Sequence, residues 1–188
     1  MMLYMPTKVY QEKKCVENHS RELAALGTSA LIVTGKHSSR INGSLEDVKN
    51  ALEREQIPYT VFDEVEENPS VETVKKAASL GLSAGADFVV GIGGGSPMDA
   101  AKAVALLIAN PERDTDFLYQ KVRPGSGVHS SGSVRPAVPV AEVPTTAGTG
   151  SEVTPYAILT KNVLPEIVLT TAPGADARHD FPHLERKT

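Results

Sequence analysis

Cysteine is almost absent from this chain of 188 residues, since Cys15 is the only one. A single cysteine excludes an internal disulfide and a cysteine-rich metal site, and it fits a reducing compartment. We expect Cys15 to be a half-buried helix residue rather than a nucleophile, because a reactive thiol needs an electropositive, accessible environment.

Long apolar runs are also missing, and no stretch is long enough to cross a bilayer. The segment formed by residues 1–6 is too short for a secretory signal and carries no charged side chain. No charge dominates, since 23 acidic and 19 basic residues are interspersed and give a net charge of −4. There is no basic stripe that would recruit nucleic acid. We therefore expect a cytoplasmic protein that binds neither membranes nor nucleic acid.

The composition that remains is that of a globular protein, with 40% apolar and 22% charged residues. The length suits one domain and is sufficient for a substantial core. We predict an α/β domain over residues 1–170. Residues 171–188 contain two prolines and little periodicity, so they are predicted to be a poorly packed tail.

Apolar runs alternate with helical patterns over the first two thirds of the chain, which indicates βαβ units around a parallel sheet. Strands are predicted at residues 30–34, 58–62 and 88–92, and helices at about 44–56, 70–85 and 97–109. The first of these helices opens with a capping-box pattern at residues 44–47, Ser-Leu-Glu-Asp, and the second starts at Asn68-Pro69-Ser70. Later strands are predicted at residues 138–143, 155–159 and 166–169, and their prolines favour edge or terminal positions. The Gly/Ser-rich residues 124–133 are predicted to form a loop.

Three successive glycines, Gly93-Gly94-Gly95, follow the most apolar strand directly. Glycine allows positive φ and a close approach of the backbone to a ligand. The pattern predicts Ser96 as the N-cap of the next helix, with Pro97 at its first position and Asp99 at its third. The free N–H groups and the positive end of such a helix attract an anion, as in dinucleotide-binding folds. A pyrophosphate is the expected ligand.

Each motif also has a simpler interpretation. Three glycines match neither the G-x-G-x-x-G nor the Walker spacing, so they could form an ordinary strand-to-helix turn. Asp99 could stabilise the helix dipole or pair with Lys102. Residues 144–152 offer four hydroxyls on a small-residue loop, which could wrap a nucleotide or satisfy nearby backbone groups.

Taken together, GGGSPMDAAK at residues 93–102 and PTTAGTGSEVT at 144–154 closely resemble the two signature blocks of the iron-containing (group III) alcohol dehydrogenase family. The resemblance extends from about residue 7 to residue 169. It implies a Rossmann-like, parallel-sheet nucleotide-binding domain, which in that family precedes an all-helical domain carrying iron or zinc. It also implies hydride transfer between an alcohol/aldehyde pair and a nicotinamide dinucleotide. The residues that the resemblance places at the cofactor are Gly94, Gly95 and Ser96 at the diphosphate, Asp99 near the nicotinamide, and Thr145, Thr146 and Thr149 along the cleft.

The loop after the first strand bears on the choice of cofactor. Residues 34–40 lack the Asp or Glu that would accept a hydrogen bond from the ribose 2′-OH of NAD. With Gly35 and Lys36 at the ribose, a 2′-phosphate could instead meet Lys36, Ser38, Ser39 or Arg40. The loop therefore predicts NADP over NAD, and the alternative is a solvated loop whose charges contact no ligand.

Metal ligands are the part of the family pattern that is incomplete. Family members use an Asp, a His four residues later and two more distant His, and this chain ends before the last two. Asp176 and His179 repeat the first pair with one residue too few, and Pro182 would break a helix that joins His179 to His183. We expect this chain alone to hold no catalytic metal and to turn over alcohols negligibly.

Two interpretations of the whole chain stay open. It is either the cofactor-binding part of a metal-dependent alcohol dehydrogenase that acts on a small alcohol or aldehyde, or a stand-alone nucleotide-binding module without catalysis. A homo-oligomer is a further expectation, because a face left by a missing domain would be apolar.

Overall fold

A four-stranded parallel sheet forms the centre of the protein, in a computed structural model that describes residues 7–119, 134–160 and 167–171. The strands lie in the order β2-β1-β3-β4 and span Ala30–Gly35 (β1), Tyr59–Val65 (β2), Phe88–Gly93 (β3) and Val140–Pro144 (β4). Two more strands, β5 (Tyr156–Thr160) and β6 (Ile167–Thr171), form a separate antiparallel pair. The predicted parallel α/β architecture is confirmed, and the proline-containing β4 lies at an edge as expected.

Helices cover both faces of the sheet. They are α1 (Cys15–Asn18), α2 (Ser20–Ala24), α3 (Ser38–Ile41), α4 (Ser44–Arg54), α5 (Val71–Ser83) and α6 (Gly95–Ala109), with 3₁₀ turns at Thr115–Tyr119 and Ser151–Val153. In the described part of the chain, none of them is both long and apolar enough to span a membrane. Cys15 is half-buried in α1, as predicted.

Side chains alternate between two cores along each strand. On β1, Leu31 and Val33 belong to the core beneath α5 and α6, whereas Ala30 and Ile32 belong to the core beneath α4. Every residue of β3 is buried, which explains its continuous apolar sequence. The central position of β3 places the glycines that follow it between the carboxyl ends of β1 and β4, where α/β sheets bind their ligands.

Helix α6 lies unusually close to β3. A Cβ on Gly91 would stand 2.7 Å from the Cβ of Ala101, and 3.4 Å from the Cα of Met98. A glycine facing an alanine therefore allows the helix to pack against the strand at this distance.

The start of α6 differs from the prediction. The helix begins at Gly95 with Gly94 as its N-cap, and no side chain caps it, so the predicted Ser96 cap is wrong. The Ser96 hydroxyl instead accepts a hydrogen bond from the backbone N–H of Asn68, at 3.2 Å. A contact with a distant loop has replaced the local cap. Pro97 still lies in the first turn, where its missing N–H costs nothing.

The start of α4 differs as well, because its predicted Ser-x-x-Asp capping pattern does not form. The N-cap is Gly43, in the left-handed conformation with φ 82°, and it makes no side-chain cap. The Ser44 hydroxyl donates to Asn42 Oδ1 at 2.7 Å. By contrast, α5 begins as predicted, with the Ser70 hydroxyl accepting from the N–H of Thr73. The predicted loop at 124–133 and the tail at 172–188 lie outside the described residues.

A single carboxylate fastens the start of β1 to the start of β3. Asp87 Oδ1 accepts hydrogen bonds from the N–H groups of Thr28 (2.8 Å) and Ser29 (2.9 Å), and Oδ2 accepts from the Thr28 hydroxyl (2.7 Å). Burial raises the pKa of Asp87, but these hydrogen bonds lower it by more, so the net shift is downward. The interaction is therefore present above the ordinary pKa of an aspartate and is lost as the pH falls through the folded-state pKa.

We expect Asp87→Asn to lower the free energy of unfolding by about 1–3 kcal/mol near neutral pH, because charge-assisted hydrogen bonds become weaker neutral ones. Urea unfolding at neutral and acidic pH measures the effect, and the difference from the wild type should shrink in acid. Asp114→Asn, at an exposed site, is the matched control. Equal stability of the wild type and Asp87→Asn at neutral pH would contradict this role.

Candidate functional site

Two turns face each other where the sheet ends. We call residues 93–95 the glycine turn and residues 145–151 the threonine turn. The N–H of Thr145 donates to the carbonyl of Gly93 at 2.8 Å, which continues the pairing of β3 with β4 beyond the strands. A Cβ on Gly94 would stand 3.4 Å from Thr146 Oγ1, and one on Gly95 would stand 3.9 Å from the side chain of Thr149. The glycines thus leave a narrow gap that side chains would fill.

The floor of this gap is suited to an anion. In the first turn of α6, Pro97 has no N–H and Met98 donates its N–H to the Gly94 carbonyl, so the N–H groups of Gly95 and Ser96 are the ones without an acceptor in the helix. The positive end of a 15-residue helix lies behind these two groups. Gly94, Gly95 and Ser96 are half-buried, whereas Thr146 and Thr149 are exposed on the opposite side. Backbone donors on one wall and hydroxyls on the other match the chemistry of a diphosphate, so these residues fit a dinucleotide.

Asn68 is a contact of Ser96 that the sequence did not reveal. Besides its contact with Ser96, its carbonyl accepts a hydrogen bond from the Thr160 hydroxyl at 3.1 Å. Its φ of 52° is a left-handed conformation that few residues other than glycine adopt. An Asn before a proline at a helix start was the available signal, but it indicated only the beginning of α5.

Asp99 joins the two turns from below. Its Oδ1 accepts from the Ser151 hydroxyl at 2.5 Å and its Oδ2 from the N–H of Ile158 at 3.0 Å, and its side chain is only 13% exposed. The carboxylate is thus engaged with the protein, and its expected place near the nicotinamide stays a prediction. In this structure Asp99 holds the threonine turn and β5 against α6.

Lys102 lies beside Asp99, as the simpler interpretation of the sequence proposed, with 3.4 Å between Nζ and Oδ1. Its nearest partners are different groups. Nζ donates to the Ser151 carbonyl at 2.5 Å, the Ser151 hydroxyl at 2.8 Å and the Tyr156 carbonyl at 2.9 Å. Lys102 is therefore, after Asp99, the second side chain of α6 that holds the threonine turn, and it is only 10% exposed.

Gly35 and Lys36 lie on the other side of the glycine turn. Strand β1 pairs with β3, with Thr34 opposite Ile92, so the end of β1 is the neighbour of the glycines. Lys36 is exposed there. Two of the other predicted phosphate contacts have protein partners, because Arg40 pairs with Asp63 and the buried Ser39 hydroxyl is hydrogen-bonded to that of Thr34. Lys36 is the charged group of this loop that is best placed for a ligand.

Metal ligands do not assemble in the described part of the chain. Within residues 7–119, 134–160 and 167–171, no group of three or more His, Cys, Asp or Glu side chains could hold a metal ion. Asp176 and His179 lie outside those residues. The described side chains therefore fit a dinucleotide but not a metal.

Comparison with known proteins agrees with this geometry. A family model described as iron-containing alcohol dehydrogenase matches residues 6–172. The chain belongs to the iron-containing alcohol dehydrogenase family. In that family it is 38% identical over 143 residues to a long-chain primary alcohol dehydrogenase of Thermoanaerobacter ethanolicus. It is 35% identical over 131 residues to a lactaldehyde reductase of Escherichia coli.

The match to iron-containing alcohol dehydrogenases extends to their folds. A crystal structure from Thermotoga maritima superposes with a TM-score of 0.79 at 46% identity, over 92% of this chain and 45% of that one. The alignments with the two curated relatives cover 74% and 70% of this chain, but only 33% and 32% of the relatives. The chain thus spans about a third of the length of those enzymes and corresponds to their N-terminal, Rossmann-like part.

Proposed function

We propose that this chain is the cofactor-binding domain of a metal-dependent NAD(P) alcohol dehydrogenase that acts on a small alcohol or aldehyde. The observation that carries the proposal is the gap between the glycine turn and the threonine turn, with the N-terminus of α6 at its floor. A bound nicotinamide would accept or donate the hydride. A location in the cytoplasm and a homo-oligomeric state complete the proposal.

The chain's own residues bind and orient the cofactor. Main-chain N–H groups at Gly94, Gly95 and Ser96 would hold the diphosphate, and the hydroxyls of Thr145, Thr146 and Thr149 would line the cleft. Asp99 and Lys102 hold the threonine turn at a fixed distance from the glycine turn through their contacts with Ser151. Turnover also needs a metal site, and the described residues do not supply one.

Titration of the purified chain with NADPH tests the proposal. The fluorescence of the reduced nicotinamide reports its binding directly. We expect saturable binding that excess NADP or pyrophosphate reverses. A linear response up to high nucleotide concentration, with no displacement, would refute cofactor binding.

We also propose that the domain prefers NADP to NAD. The support is the exposed Lys36 next to the glycine turn, together with the missing carboxylate at the end of β1. Lys36→Glu is expected to weaken NADPH binding about tenfold or more, because it replaces an attraction to the 2′-phosphate with a repulsion. NADH binding should change little or improve.

The ratio of the two dissociation constants is the measurement, and Lys75→Glu is the control, since that exposed lysine lies on α5. A wild-type chain that binds NADH more tightly than NADPH would reject the preference. A Lys36→Glu chain with an unchanged ratio would reject the role of this side chain.

A further inference from the structure

Glu142 is a buried carboxylate without a hydrogen-bond partner. It lies on the edge strand β4 and is on the same face as Val140, which packs against the core beneath α6. Its side chain is 9% exposed, and both carboxylate oxygens are inaccessible and make no hydrogen bond. Burying an unpaired carboxylate is costly, so an acid in this place is expected to have a role.

The nearest cation to Glu142 is already engaged. Lys102 Nζ lies 3.9 Å from Glu142 Oε1, too far for a hydrogen bond. An ammonium group has three protons, and those of Lys102 already serve four acceptors. These are the carbonyl and hydroxyl oxygens of Ser151, the carbonyl of Tyr156 and, at 3.4 Å, Oδ1 of Asp99. A charged Glu142 can gain a hydrogen bond from Lys102 only if the lysine gives up one of these contacts.

The charge on Glu142 is sensitive to pH. Burial raises the pKa of its carboxyl, Lys102 lowers it, and Asp99 and Glu152 raise it again, which gives a value of about 8. Glu142 also borders a cavity of about 800 Å³ along the open edge of β4. The titratable groups that line the cavity on its far side are Lys8, Tyr10, Cys15, His19 and Glu22. The carboxyl is therefore neutral in mildly acidic solution and becomes charged in mildly alkaline solution.

We propose that Lys102 is a positioning residue that holds the threonine turn on α6, and that a negative charge on Glu142 draws this lysine away and loosens the turn. The effect on dinucleotide affinity rests on the function proposed above. The loosening of the turn does not, since it involves only contacts within the chain.

Two measurements on the full chain test the proposal. Hydrogen exchange over residues 145–154, corrected for the intrinsic rate, reports how firmly the turn is held. We expect protection in the wild type to fall about tenfold between about pH 7 and about pH 9, the effect of losing one hydrogen bond to a charged group. In Glu142→Gln, which has the same shape but no charge, protection should stay level. Glu46→Gln, on the exposed face of α4, should behave like the wild type.

NADPH titrations over the same range give the second readout. Affinity should fall with rising pH in the wild type and stay level in Glu142→Gln. Equal exchange profiles in the wild type and Glu142→Gln would overturn the proposal, whatever the affinities. If the exchange profiles of the wild type and Glu142→Gln differ as expected but the chain binds no dinucleotide at any pH, the loosening of the turn is supported and the proposed function is rejected. A circular dichroism spectrum of each variant confirms that it is folded.

Discussion

Gly94→Ala is expected to weaken NADPH binding about tenfold or more while the domain stays folded. The added methyl group would lie in the gap between the two turns, 3.4 Å from Thr146 Oγ1, which is an ordinary contact in the free protein. The φ of Gly94 is −83°, a value that alanine adopts without strain. Replacing a glycine N-cap with alanine costs below about 1 kcal/mol of stability. The methyl group would exclude a phosphate from the N–H groups.

Fluorescence titration with NADPH, together with urea unfolding, separates the loss of binding from a loss of stability. Gly43→Asn is the matched control. Gly43 also precedes a helix, but a Cβ there contacts nothing within 4 Å, and asparagine tolerates its positive φ. If Gly94→Ala binds NADPH as tightly as the wild type, the diphosphate does not lie over the glycine turn.

Lys102→Met is expected to destabilise the domain by about 3–5 kcal/mol, a large share of the roughly 5–15 kcal/mol that holds a typical domain folded. Methionine fills a similar volume, but it provides no donors to Ser151 and Tyr156 and leaves the carboxylate of Asp99 without its cation. NADPH affinity should fall as well, because the threonine turn loses one of its two fastenings.

Chemical unfolding of Lys102→Met and Lys49→Met measures the difference between a buried lysine and one whose side chain is 30% exposed. Lys49, like Lys102, pairs with a carboxylate three residues away on its helix, but its partner Glu46 lies at the surface, where such a pair contributes about 0–1 kcal/mol. Similar losses in the two variants would show that the contacts of Lys102 add little to stability.

Features of the fold that depend on repeated patterns were predictable from the sequence. Each predicted strand overlaps an observed one, because burial on one or both faces sets the apolar periodicity. The two mistaken helix caps have a common cause. In both cases a serine was expected to cap its own helix. Ser96 instead contacts Asn68, which is distant in sequence. At the start of α4 the N-cap position is taken by Gly43, whose backbone is left-handed. Short helices such as α3 are too brief to produce a pattern.

The site was predictable only in part, and for a similar reason. The glycines and threonines form two recognisable blocks, and the structure brings those blocks face to face. Glu142 and Asn68 carry no such signal, because their importance comes from neighbours on other elements. A glutamate in an apolar strand gave no indication that its oxygens are enclosed next to Lys102.

The close approach of Gly91 and Ala101 has a consequence for interpreting variants of this domain. Helix α6 contacts β3 at Gly91 and Ala101, where the side chains are the smallest possible. A larger side chain at Gly91 would therefore displace the whole helix as a rigid body. Every N–H group of its first turn would then move together, away from the opposing hydroxyls. Binding assays would record such a change as a defect in cofactor recognition, although the altered atom would lie beneath the proposed cofactor site and outside contact with the cofactor.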